Sequence, residues 1–93
     1  GVTERSTQLR TGIDTLAQQY PALIGGHTGL GLMVGIKCLA SNADLIKAMA
    51  AEKMLAVKAG GNSIRLLPPL NISADEVDDG LQRLNRACAA LQP

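Results

Sequence analysis

Phenylalanine and tryptophan are absent from the 93 residues, and Tyr20 is the single aromatic. A nucleic-acid surface built on base stacking is therefore excluded. Excess charge is missing too: nine Lys and Arg against eight Asp and Glu leave a formal net charge of +1, with the basic residues spread among acids. No electrostatic footprint for DNA or RNA results. Long apolar runs are scarce. The uncharged stretch from Thr15 to Ile36 is interrupted by Gln18, Gln19, Pro21, Gly25, Gly26 and His27, and the apolar part from Leu30 to Ile36 is strand-sized, so no membrane span is expected. Cys38 and Cys88 stand fifty residues apart beside a lone histidine. Such spacing supports no metal site, and reduced, buried thiols in a cytoplasmic setting are the expectation.

What is present is aliphatic. Hydrophobic residues make up 46% of the chain, but with many alanines and no large aromatic rings the core has thin reserves. Such a domain is expected to lean on a larger body, and the opening at Gly1 without Met fits a piece of a longer chain. Leu9, Ile13, Leu16 and Tyr20 recur at helical spacing, so a helix is expected from about Thr3 to Tyr20, ended by Pro21. Gly25 to Gly29 reads as a turn and Leu30 to Leu39 as a buried strand. Ser41 caps a second helix running to about Lys53, with Asp44 in its first turn. Met54 to Lys58 and Ser63 to Leu67 form a hairpin around Ala59-Gly60-Gly61-Asn62, and Pro68-Pro69 ends it. Ser73 and Glu76 make a capping box for the last helix, stapled by Ile72 and Val77. Its apolar face is Val77, Leu81, Leu84, Cys88 and Leu91. The expected fold is α/β in the α+β two-layer sense: a small, mainly antiparallel sheet of about three strands, helices on one side, in the order helix-strand-helix-strand-strand-helix.

Most candidate chemistry in this chain has a structural explanation. The spacing Gly29-x-Gly31-x-x-x-Gly35 misses the dinucleotide fingerprint. His27 reads as a surface residue in a turn, and Asn71-Ile72-Ser73 matches the glycosylation sequon, but Ser73 is better explained as a helix cap. Asp75, Glu76, Asp78 and Asp79 suit the positive end of a helix dipole more than a metal. No lysine sits in a context that marks a Schiff base, and no nucleophile stands out. Arg65 is different. It lies inside the apolar run Ile64-Arg65-Leu66-Leu67 directly before Pro68-Pro69, and two readings stay open for it: an edge-strand charge, or a clamp that takes a carboxylate bidentately.

The run Gly29-Leu30-Gly31-Leu32-Met33-Val34-Gly35-Ile36 is followed at fixed spacing by Ala59-Gly60-Gly61-Asn62-Ser63-Ile64-Arg65-Leu66-Leu67-Pro68-Pro69-Leu70-Asn71-Ile72. A capped helix then begins Ser73-Ala74-Asp75-Glu76-Val77-Asp78. This pattern resembles the C-terminal small domain of class III pyridoxal-phosphate aminotransferases. The likeness runs from Leu9 to Leu91 and is strongest from Asn62 to Asp78. Residues 1–93 would then be that single domain, with pyridoxal phosphate and its Schiff-base lysine held by the large domain of the same chain, in a homodimer.

The resemblance implies that Arg65, in the I-R-L-x-P-P-L motif, receives the carboxylate of a small amino-acid substrate, and that the 93 residues alone are inactive. It assigns no catalytic, cofactor-binding or metal-binding residue to the chain. Thr28-Gly29 stand where the family has Arg-Gly, and Lys37 where it has an acid. The Leu67-Pro68-Pro69 wording leans toward enzymes that pass an amino group between N-acetylornithine and 2-oxoglutarate in arginine biosynthesis. Ornithine, succinyl-diaminopimelate and 4-aminobutyrate are the other donors the family suggests. From pattern alone, a free-standing amino-acid-binding regulatory module is the competing class.

Overall fold

A computed structural model describes residues 2–92. Helix α1 spans Val2–Gln19. Its residues Leu9, Ile13 and Leu16 recur every three or four positions and are buried, which gives the helix one face to the core. Strands β1 (Ile24–Thr28) and β2 (Gly35–Cys38) follow, then α2 (Asn42–Ala51), β3 (Ala56–Ala59), β4 (Ser63–Leu66) and α3 (Ala74–Leu91). The four strands form one antiparallel sheet in the order β1-β2-β4-β3. Among the described residues, no helix is long and apolar enough to cross a membrane.

Alternation along the two central strands decides how the layers stack. Ile36 and Cys38 of β2 and Ile64 and Leu66 of β4 are buried, whereas Lys37 and Arg65 between them are exposed. A strand presents successive side chains to opposite faces, so the first set meets the helices and the second lies on an uncovered face. Helix α1 packs on β1 and α3, and α2 packs on β3 and α3. The helices thus share one side, as the pattern predicted.

Local chemistry explains the helix ends. Ser41 Oγ accepts the N–H of Asp44 at 3.3 Å to start α2. The helix ends with Lys53 at φ 62° while Met54 N–H donates to Met49 O and Lys53 N–H to Ala50 O, both at 2.9 Å. This double closure normally has glycine at the left-handed position. At α3 the capping box is complete: Ser73 Oγ accepts from Glu76 N at 3.1 Å, and Glu76 Oε1 accepts from Ser73 N at 3.0 Å.

Two expectations need correction. The sheet has four strands, not about three, because the segment read as a glycine turn is β1. Its register shifts between Ile24 and Gly26, leaving Gly25 as an extra residue, and Gly26 adopts φ 135°. A bulge of this kind lets a glycine-rich segment remain in a ladder. Conversely, Leu30 to Met33 is not the start of a buried strand. Positive φ at Gly29 (89°) and Gly31 (57°) turns the chain back on itself, leaving Leu30 84% and Met33 65% exposed. Only Gly35–Cys38 of the expected strand pairs.

Candidate carboxylate site

Arg65 lies on β4, which is hydrogen-bonded on both sides, to β2 and to β3. The edge-charge reading is therefore wrong, because β4 is internal and has no free edge to protect. Pairing places Val57 of β3, Arg65, Gly35 of β2 and Thr28 of β1 in one row across the sheet. All four belong to the uncovered face. Among the described residues, the Arg65 guanidinium has no hydrogen-bond or ion-pair partner.

An apolar rim surrounds this cation. A cleft of about 300 Å³ joins Arg65 to Thr28, Gly29, Leu30, Met33 and Gly35. A second groove, of about 480 Å³, runs from Arg65 along Leu32, Met33, Leu67, Pro68 and Leu70. Leu30, Met33, Val57, Leu67 and Leu70 are all exposed. An unpaired guanidinium among apolar side chains can bind a carboxylate with little competition from water once that face is covered. A smaller apolar cavity, of about 130 Å³, lies between α1, α3 and the end of β4. It has no cation for such a ligand.

The loop carrying Leu30 and Met33 is held from α1. Arg10 donates through Nη1 to Thr28 O at 3.0 Å and through Nη2 to Gly31 O at 2.7 Å. Ser6 Oγ donates to the same Gly31 carbonyl at 2.8 Å and accepts from Arg10 Nε at 3.0 Å. Gly29 makes the turn possible, since a Cβ there would stand 1.8 Å from Met33 O. Sequence reading missed Ser6 and Arg10; the one trace in the sequence is that Ser6 shares the helical face of Leu9, Ile13 and Leu16, which does not reveal its partner.

The other chemistry-bearing residues lie elsewhere. His27 is in β1, not in a turn, and its Nδ1 is 2.7 Å from Asp14 Oδ1 on the helix side of the sheet. Cys38 and Cys88 are free and buried, and burial pushes both thiols up to about 11. Among the described residues, no group of three or more His, Cys, Asp or Glu could hold a metal. Pyridoxal phosphate does not fit the chain by itself. Lys37, Lys47, Lys53 and Lys58 are all exposed. Lys47 borders a groove beside Asp44 and Leu91, where the Asp44 carboxylate opposes a phosphate, and the start of α3 is acidic.

Comparison with known proteins gives the arrangement its context. A family model described as Aminotransferase class-III matches residues 1–88. The acetylornithine aminotransferase of Agrobacterium fabrum is 45% identical over 82 residues, covering 88% of this chain and 21% of that protein. Acetylornithine aminotransferase 1 of Bradyrhizobium diazoefficiens is 37% identical over 90 residues, covering 97% of this chain and 22% of that protein. The crystal structure of N-acetylornithine aminotransferase from Stenotrophomonas maltophilia superposes with a TM-score of 0.87 at 31% identity, over 97% of this chain and 26% of that one. The chain spans about a fifth of the length of the curated relatives it matches. With a family model covering nearly the whole chain and both sequence and fold in agreement, the chain belongs to the class III aminotransferases.

Proposed function

We propose that residues 1–93 are the C-terminal small domain of a transaminase that passes an amino group between N-acetylornithine and 2-oxoglutarate, in arginine biosynthesis, and that Arg65 holds the substrate carboxylate. The observation that carries this reading is the guanidinium of Arg65, unpaired among the described residues, on an internal strand and on the uncovered sheet face beside exposed apolar side chains. The names of the relatives support the choice of donor.

In this reading the large domain of the same protein covers the rim made by Leu30, Met33, Val57, Leu67 and Leu70 and excludes water. Arg65 then donates two parallel N–H groups to the carboxylate and fixes the orientation of the reacting carbon. The domain moves with the clamp as it closes over the substrate. Pyridoxal phosphate and its lysine belong to the large domain, the working enzyme is a homodimer, and the 93 residues alone have no transaminase activity.

The test is Arg65→Ala in the full-length protein, assayed with N-acetylornithine as donor. Loss of a desolvated charge-assisted pair of about 1.5 to 3 kcal/mol raises KM roughly ten- to hundredfold. Arg65→Lys, which keeps the charge but not the fork, is expected to fall between the alanine variant and the wild type. An unchanged KM in the alanine variant would overturn the clamp.

A further inference from the structure

We infer that the hydroxyl of Thr28 is a second binding group for the carboxylate at Arg65, reaching it across Gly35. This inference rests on the function proposed above and deepens its account of the substrate site.

Thr28 pairs with Gly35, and Gly35 with Arg65, so the three lie in one row on the uncovered face. Two strand spacings separate Thr28 from Arg65, about 10 Å between backbones. A long arginine side chain and a bound carboxylate can fill that gap. Gly35 keeps it open. A Cβ at position 35 would stand 2.2 Å from Thr28 Oγ1, so the hydroxyl lies over the glycine, on the side of its strand that faces Arg65. A glycine inside a strand weakens it and contributes no packing, and here its absent side chain admits the hydroxyl.

The hydroxyl is available and its mount is fixed. Thr28 Oγ1 has no hydrogen-bond partner among the described residues, while the Thr28 carbonyl is held by Arg10 Nη1 at 3.0 Å. Thr28 and Arg65 line the same cleft, with Leu30 and Met33 at its rim. A carboxylate accepts about four hydrogen bonds, and a bidentate guanidinium uses two. A neutral hydroxyl can take a third without adding charge. Lys37 is on the same face but does not complete the seat: its Cγ and Cδ lie 3.4 Å from where a Cβ of Gly25 would be, leaning toward β1 and away from Arg65. The seat therefore suits the single carboxylate of an amino or oxo acid, with one cation and one hydroxyl donor.

The test uses the full-length protein with Thr28→Val, Thr28→Ser and Arg65→Ala, measuring KM and kcat for N-acetylornithine together with the thermal midpoint. Valine keeps the shape and removes the donor. KM is expected to rise about tenfold, with kcat and midpoint unchanged, and serine is expected to restore KM to near the wild-type value. If Arg65→Ala raises KM and Thr28→Val does not, this inference fails while the clamp stands. If Arg65→Ala leaves KM unchanged, the Arg65 clamp of the proposed function fails and this inference with it. Should the valine variant lose thermal midpoint, Thr28→Ala gives a second measurement. A KM that tracks the midpoint in both, without rescue by serine, assigns Thr28 a structural role and overturns the inference.

Discussion

Asn62 and Asn42 tie the turn of one hairpin to the start of a helix. Asn62 Oδ1 accepts the backbone N–H of Asn42 at 2.9 Å, and Asn42 Nδ2 donates to Ser63 O at 3.0 Å. Asn62 Nδ2 also donates to the carbonyls of Ala40 at 2.8 Å and Cys38 at 3.1 Å, from a backbone at φ 57°. One residue thus satisfies the β2–α2 connection and sets the turn immediately before the strand that bears Arg65.

Replacing Asn62 separates these two roles. Asn62→Ala removes the side-chain bonds and leaves a poor residue at positive φ, so a loss of about 2 to 3 kcal/mol is expected. Asn62→Gly keeps the backbone freedom and is expected to lose about 1 kcal/mol less. Thermal midpoints of the two variants check this order. Equal midpoints for both and the wild type would mean that the bonds contribute nothing net.

Gly12 and Leu81 set how closely α1 and α3 approach. A Cβ at Gly12 would lie 2.3 Å from Leu81 Cδ1 and 2.6 Å from Cδ2. In an open helix, Gly→Ala stabilises by about 1 kcal/mol. Here the collision is expected to outweigh that gain, so Gly12→Ala lowers stability by about 1 kcal/mol. In a Leu81→Ala background the clash is gone and Gly12→Ala is expected to be stabilising. A double-mutant cycle read by thermal denaturation decides the matter, and the same sign in both backgrounds would refute the close approach.

The parts of this fold that were legible in the sequence are those fixed by neighbours in the chain. Ser73 with Glu76 marks the start of α3 because each residue meets the other's backbone three positions away. Gly60-Gly61-Asn62 marks the hairpin because Gly61 and Asn62 need positive φ. The segment from Gly25 to Met33 was misread for the opposite reason. Its shape depends on Ser6 and Arg10, which reach Gly31 across 25 and 21 positions, and no local rule shows that contact. Arg65 was visible as a charge in an apolar run, but whether its strand lay inside or at the edge depended on β2 pairing with β4 across α2 and β3. Thr28 gave no local signal at all, since its place over Gly35 arises only from the pairing of β1 with β2.

Acid is expected to weaken the start of α3. Hydrogen bonds from the Ser73 backbone and side chain hold the Glu76 carboxyl below its ordinary value of 4.5. A carboxyl with a depressed folded pKa contributes stability above its unfolded value and loses it as pH falls through the folded one. The contribution is therefore intact at neutral pH and declines below about 4.5. Glu76→Gln retains an acceptor without the charge, so its midpoint is expected to lie below the wild type near neutrality and to converge with it in acid. Parallel curves from about pH 6 to about pH 3, limits that bracket the ordinary value of 4.5, would exclude Glu76 from the acid response.

The two thiols give the opposite dependence. Burial raises Cys38 and Cys88 from an ordinary 9.0 to about 11, with the nearby Cys38 adding a smaller push on Cys88. A group whose folded pKa is raised contributes stability in full below its unfolded value, and that contribution is lost as pH rises through the folded one. The window is therefore from 9.0 to about 11. In the same sense, the reactive thiolate is suppressed in the native state. Iodoacetamide at about pH 8, below the ordinary thiol value of 9.0 but high enough to leave an exposed thiol partly ionised, is expected to leave both cysteines unmodified in the native protein and to label both after urea is added. Mass spectrometry reads the result directly. Native labelling at the rate of an exposed thiol would show that the core around β2 and α3 opens far more readily than the packing of Cys38 and Cys88, 5% and 0% exposed, implies.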